Sequence, residues 1–145
     1  MRKGFTLIEL LLTFAILAFC ICSILLTYIN MFILADLSRD LTLATNSVQA
    51  KMEEIKKTAF DNLLTFNGTK FDIDGFAGAD AKGVIEVTDT AYADLKRVRI
   101  IACFKSRGRV IGEDKNLNGI LDAGEDSNGN GRFDSPLELV ALIAK

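Results

Sequence analysis

The chain is 145 residues long, half of them apolar and a quarter charged, with 17 basic against 19 acidic side chains. That length suits one domain, and a net charge of −2 leaves no basic surplus to neutralise nucleic-acid phosphates. Histidine and tryptophan are absent, which excludes imidazole catalysis and zinc sites with histidine ligands. The three cysteines, Cys20, Cys22 and Cys103, are too few and too unevenly placed for a disulfide framework. Cys20 and Cys22 fall inside an apolar run and read as small apolar side chains.

That run is the first informative element. The 26 positions from Leu10 to Ala35 carry no charged side chain, and as a helix they reach about 39 Å, enough to cross a hydrocarbon core of ~30 Å with tilt. Arg2 and Lys3 are the only charges before Glu9, so the amino end is expected to stay cytoplasmic while the chain beyond the helix is translocated. A secretory signal peptide has a shorter apolar core ending in a small-x-small cleavage site, and this run is too long for one. A plain single-span anchor has no use for Glu9, because an ionised carboxylate at that depth costs several kcal/mol and demands a partner.

The stretch Gly4-Phe5-Thr6-Leu7-Ile8-Glu9, after a short basic leader and before an apolar helix, resembles the N-terminal signature of type IV pilins and pseudopilins. The resemblance covers about the first 35 residues. It implies cleavage between Gly4 and Phe5 by a prepilin peptidase, with residues 1–4 as leader, and N-methylation of Phe5. It also implies that residues 5–35 form the membrane-spanning and filament-core half of a helix. Glu9 would meet the terminal amine of a neighbouring subunit, compensating a buried charge and setting axial register. The implied partners are other pilin or pseudopilin subunits, the peptidase, an inner-membrane assembly platform and the membrane itself. The implied location is the bacterial inner membrane, as a single pass, and then a pilus or pseudopilus.

After Asp36 the helical pattern continues. Leu34, Leu37, Leu41, Ala44, Val48, Met52, Ile55, Ala59 and Leu63 recur at steps of three and four, an amphipathic stripe that predicts a helix continuing to about residue 67. Neither proline nor glycine interrupts Phe5 to Asn67, so one helix of roughly 60 residues is expected, its second half packed on a sheet. A coiled-coil dimer is the competing reading of that half. Ser47 to Lys56, with Asn62-Leu63-Leu64, resembles the helix segment of PilV-like minor pilins. Many pilins kink the membrane half at a proline, which this sequence lacks there.

Residues 67–82 are rich in glycine and aspartate, with Phe66, Phe71 and Phe76 interspersed, and predict a loop or short hairpin laid over the helix. Strands are predicted at Gly83 to Thr88, Leu95 to Lys105, Arg109 to Ile111 and Leu137 to Ile143. Val98 to Phe104 has the composition of a central strand, with Cys103 buried in it. The expected fold is therefore α+β and pilin-like: one long helix on a small antiparallel sheet within residues 83–143, in a head spanning residues 36–145.

Between the last two strands lies Glu113 to Asp134, with six acids and two bases. Asp114-x-Asn116-x-Asn118-Gly119-x5-Glu125 fits the twelve-residue calcium-loop template throughout. Alternate side chains at the first, third and fifth positions converge while Gly119 makes the sharp turn. Ile120 offers its backbone carbonyl, Asp122 a carboxylate direct or through water, and Glu125 two oxygens. The pattern restarts as Asp126-x-Asn128-x-Asn130-Gly131-x-Phe133-Asp134, but its twelfth position is Leu137 and Glu138 comes one residue late. This second loop would bind weakly or share ligands with the first. The duplication resembles tandem calcium loops such as thrombospondin type 3 and dockerin-like repeats. Strand-like residues before it and Ser135-Pro136 after it argue against a helix-loop-helix sensor. A solvated, turn-rich loop is the plainer reading. Calcium is expected over magnesium because the site offers many oxygens on a flexible chain.

The functional expectation is a structural filament subunit with no active site, a minor pilin or pseudopilin of a type IV pilus or type II secretion-like machine. The other class to weigh is a membrane-tethered calcium-binding recognition module that never polymerises. An enzyme has little support, since the acids are best explained as metal ligands and no cysteine sits beside a base.

Overall fold

The computed structural model describes residues 6–145. In chain order the elements are helix α1 (Leu7–Lys56), a 3-10 segment (Phe60–Phe66), and strands β1 (Lys70–Asp72), β2 (Ala81–Asp89), β3 (Leu95–Ser106), β4 (Arg109–Ile111) and β5 (Leu137–Ala144). The chain divides into two compact units on either side of the Asp36–Leu37 bond.

In the first unit the apolar residues of α1 are uncovered all round, from Leu7 at 77% exposure to Leu34 at 65%. By length and composition this helix can cross a membrane. Its few hydroxyls turn back on its own backbone: Thr13, Ser23 and Thr27 donate to the carbonyls of Leu10, Phe19 and Ser23 at 2.8–2.9 Å. Polar groups satisfied inside the segment cost little in hydrocarbon.

In the second unit the stripe Leu41, Ala44, Val48, Met52 and Ile55 packs against the sheet, so this half of the helix is an intramolecular packing element. The helix stops earlier than the sequence pattern suggests. It ends at Lys56, and Thr58 and Ala59 turn the chain, Ala59 adopting extended backbone at φ −58°, ψ 140°. The cause is the spacing that follows. Phe60, Leu63 and Phe66 recur every three residues, which matches the eclipsed faces of a 3-10 helix, and all three close the end of the core.

The sheet is antiparallel, ordered β1-β2-β3-β4, with β5 pairing β3 beside β4. β1 is the short hairpin partner within residues 67–82, its Phe71 opposite Gly83. A side chain at Gly83 would collide with the Phe71 ring, so the glycine is what lets the aromatic lie flat across β2. β3 is the central strand. Val98, Ile100, Ala102 and Phe104 face the helix, while Arg99, Ile101 and Cys103 face the other way, and all are buried. The second face is covered by the segment between β4 and β5, through Leu117, Leu121 and Phe133 packed on Val84, Ile101 and Cys103. The fold is α+β, a long N-terminal helix packed on a small antiparallel sheet.

Candidate functional site

Two regions carry the functional residues. At the amino end, Gly4 and Phe5 lie outside the described residues. Glu9 occupies the first turn of α1, where an acid complements the helix dipole. Thr6 and Glu9 have the spacing of a capping box: the Glu9 N–H donates to the Thr6 carbonyl at 3.1 Å and to Thr6 Oγ1 at 3.4 Å. The threonine and the acid of the motif thus start the helix as well as marking it.

The second region is the double loop on the sheet. In its first half Asp114 is fully buried, and its two oxygens accept the N–H groups of Asn118 (3.0 Å) and Gly119 (2.7 Å). Asn116 Oδ1 accepts the Asn118 N–H and Asn118 Oδ1 the Ile120 N–H, winding the loop inward. Both asparagine amides donate to Asp122 Oδ2 at 2.8 Å. These donors, with Lys70 nearby, hold the Asp122 carboxyl below its ordinary pKa. Glu125 closes the loop. Its Oε1 accepts the N–H groups of Lys115 (2.9 Å) and Asn116 (3.2 Å), and its Oε2 that of Asp122 (3.1 Å).

The second half repeats this winding twelve residues on. Asp126 accepts the N–H groups of Asn130 and Gly131, as well as Gly129, and Asn128 and Asn130 accept those of Asn130 and Arg132. Their amides converge on Asp134 Oδ2 at 3.0 and 2.6 Å, and lower the Asp134 pKa. The backbones agree too: Leu117 and Gly129 at the fourth position have φ 57° and 70°, and Gly119 and Gly131 at the sixth have 72° and 69°. Leu117 adopts the left-handed region, which disfavours a side chain, and its burial against the sheet offsets the strain.

Each loop presents hard oxygens only, from acids, amides and backbone carbonyls. Among the described residues, no three acidic, thiol or imidazole groups are gathered so as to hold a metal on those side chains alone. A cation would therefore depend on the asparagine amide oxygens and the Ile120 carbonyl as much as on the acids. Fit to a hard cation rests on charge: Asp114 and Glu125 are buried at 0% and 6% exposure, and no ion pair among the described residues includes either.

Two residues here were not expected from the sequence. Arg99, 4% exposed on β3, pairs with Glu86 (2.8 Å), Asp134 (2.8 Å) and Glu138 (2.7 Å), and Nη2 also donates to the Phe133 carbonyl at 2.7 Å. The Glu138 contact, more than any other, raises the guanidinium pKa, and Arg99 in turn lowers that of Glu138. Glu113, just before the first loop, is 9% exposed, and its carboxylate accepts the N–H groups of Ser127 (3.1 Å) and Asp134 (3.2 Å). The only sequence signal for Glu113 is its distance of twelve residues from Glu125.

Residues 1–26 match the family model described as the prokaryotic N-terminal methylation motif. No curated protein and no solved structure matches the chain. A methylation motif that overlaps the exposed apolar half of α1 fits a membrane-anchored protein. The N-terminal stretch of the chain thus carries the signature of a type IV pilin-like prepilin, the substrate of a prepilin peptidase.

Proposed function

We propose that the chain is a structural subunit, a minor pilin or pseudopilin, of a type IV pilus or type II secretion-like filament. It waits in the inner membrane with its amino end cytoplasmic, loses residues 1–4 to the peptidase, is methylated at Phe5, and enters the filament through residues 5–35. Glu9 pairs with the terminal amine of a neighbour, since a carboxylate inside a bundle of apolar helices needs a positive partner. The observation that carries this reading is the motif at residues 1–26, which overlaps a helix whose large apolar side chains from Leu7 to Leu34 are exposed.

The test is co-expression with a prepilin peptidase and the filament machinery, followed by mass spectrometry of the mature amino end and by shearing. The expected product begins at methylated Phe5 and sediments with filaments. Glu9→Val is expected to be cleaved and membrane-bound but missing from the sheared fraction. An uncut chain, or a Glu9→Val chain incorporated like the parent, overturns the assignment.

In the same reading the head is calcium-stabilised outside the cytoplasm. Asp114, Asn116, Asn118, Ile120, Asp122 and Glu125 serve the first loop, and Asp126, Asn128, Asn130 and Asp134 the second. What supports this is the template spacing together with the buried acids Asp114 and Glu125, which no ion pair among the described residues includes. Melting of the detergent-solubilised chain should rise with calcium and fall with chelator, and Glu125→Ala should abolish the difference. Identical melting with and without calcium would reject the ion.

A further inference from the structure

The sheet of the head ends in two edges, β1 on one side and β5 on the other, and among the described residues no strand pairs with the far side of either. Nothing on β5 guards its edge. It contains no proline, its ladder with β3 is continuous, and its one charged side chain, Glu138, is held by Arg99. Val140 and Leu142 stand 48% and 58% exposed on it. The Lys145 N–H donates to the Asp94 carbonyl at 3.0 Å, and alternation along the ladder then turns the N–H and C=O groups of Glu138, Val140, Leu142 and Ala144 away from β3. On β1 the Thr69 carbonyl accepts the Ile85 N–H at 2.9 Å, which turns the N–H and C=O groups of Lys70 and Asp72 away from β2.

The two edges fit one another. β1 and β5 run in opposite directions, because each strand from β1 through β2 and β3 to β5 is antiparallel to the next. A second copy set beside the first without being turned over therefore offers its β1 antiparallel to β5. The outward residues of both edges share the loop face, Lys70 and Asp72 opposite Val84 and Lys82, Val140 and Leu142 opposite Arg99 and Arg97. Charge chooses the register. Asp72 opposite Glu138 would set like charges together, Lys70 opposite Leu142 would bring it to Arg97, and Lys70 opposite Glu138 would run Asp72 off the strand at Pro136. Asp72 opposite Leu142 instead lies in the row of Arg97, an exposed guanidinium that no ion pair among the described residues includes. Ala144 then meets Lys70, and Ile143 meets Phe71 on the helix side, beside a cavity of about 230 Å³ lined by Ser47, Lys51, Glu54 and Phe71.

We infer that β5 of one copy adds to β1 of a second copy, Leu142 opposite Asp72, so that neighbouring heads share one continuous sheet. The inference rests on the reading of the chain as an anchored subunit and names the contact between adjacent heads. A reciprocal pair of β5 with β5 would turn one head end over end, against the common direction of copies held in one membrane. Pairing β5 with β1 keeps that direction and leaves an edge free at each end, so it can continue from copy to copy. So short a ladder buries far less than a stable free dimer needs, and isolated heads stay apart. Anchoring side by side raises the local concentration enough for the contact to form.

Disulfide trapping tests this in the full chain carrying Cys20→Ala and Cys22→Ala, in cell membranes and in sheared filaments. Directly opposite residues of such a ladder have Cα atoms about 5.5 Å apart, within disulfide reach. Lys70→Cys with Ala144→Cys, oxidised by copper phenanthroline, is expected to give a ladder of dimers, trimers and longer products, and either change alone none. Asp72→Cys with Leu142→Cys reads the same register a second time. Arg97→Glu should lower trapping of the first pair about fivefold, and adding Asp72→Lys should restore it, which a damaged fold would not allow. Dimers without longer products, equal trapping by Lys70→Cys with Val140→Cys, or filaments in which neither pair is trapped would overturn the strand pairing and leave the filament reading standing. A ladder in the membranes of cells that make no filament would uphold the pairing and count against the filament reading alone.

Discussion

At the scale of single residues, two positions on the loop side of the sheet decide how the head holds together. Gly112 leaves β4 with φ 108°, and a side chain there would collide with Cys103 Sγ. Gly112→Ala combines backbone strain with that collision and should cost about 2–3 kcal/mol. Cys103→Ala in the same chain should return part of the loss, the strain remaining. Additive losses in urea melts of the two single variants and the double would rule out the contact. Arg99 is the other position. Replacing it with methionine leaves Glu86, Asp134 and Glu138 facing one another, and because each keeps 30–34% of its side-chain surface in water, the loss should be about 2 kcal/mol. Asp134 and Glu138 have pKa values lowered in the fold, so their stabilisation is present above the unfolded value near ~4 and disappears as pH falls through the folded value. The gap between parent and Arg99→Met urea midpoints should therefore be wide at pH 7 and narrow as pH falls below about 4. A gap that persists in acid would mean the arginine acts by packing alone.

At the scale of elements, the double loop behaves as a layer of the head, covering the face of β3 that the helix does not. Its apolar contacts are Leu117 at the fourth position of one loop and Leu121 and Phe133 at the eighth positions of each. Phe133 is 5% exposed, and Phe133→Ala should cost about 3 kcal/mol and raise the rate of proteolysis between residues 113 and 134 ahead of cleavage in the sheet. Cleavage at equal rates in both would show that loop and sheet open together. Much of this element level was legible in the sequence. Alternation and composition located β2, β3, β4 and β5 to within two residues, and the buried character of Val98 to Phe104 followed from apolar side chains on both faces. The helix end was not legible from a stripe of threes and fours, because Phe60, Leu63 and Phe66 satisfy a three-residue repeat that begins before the longer repeat fails. The loop as a covering layer was hidden for another reason. Leu117, Leu121 and Phe133 are isolated apolar residues among polar ones, and nothing in their spacing says what they touch. The partners of Arg99 and Glu113 lie up to 39 positions away, beyond any local pattern.

At the scale of the whole molecule, the two units answer to different solvents. Every residue of both core clusters and of the apolar side chains packed on them lies at or beyond Leu41, whereas the large side chains from Leu7 to Leu34 are exposed. The head therefore has its own core, and the apolar half of α1 contributes none of it. A chain beginning at Asp36 also starts well as a helix, because Asp36 and Asp40 then occupy its first turns, where acids complement the exposed N–H groups. Such a chain should be soluble and monomeric without detergent, and should melt in one cooperative step within about 3 °C of the detergent-solubilised full chain. The full chain without detergent should associate, since an uncovered apolar helix of this length has no other means of leaving water. Sedimentation and thermal melting of the two chains side by side decide the matter. A shortened chain that aggregates, or that melts gradually, would show that the head depends on residues before Asp36 and that the filament-core helix helps to hold the fold.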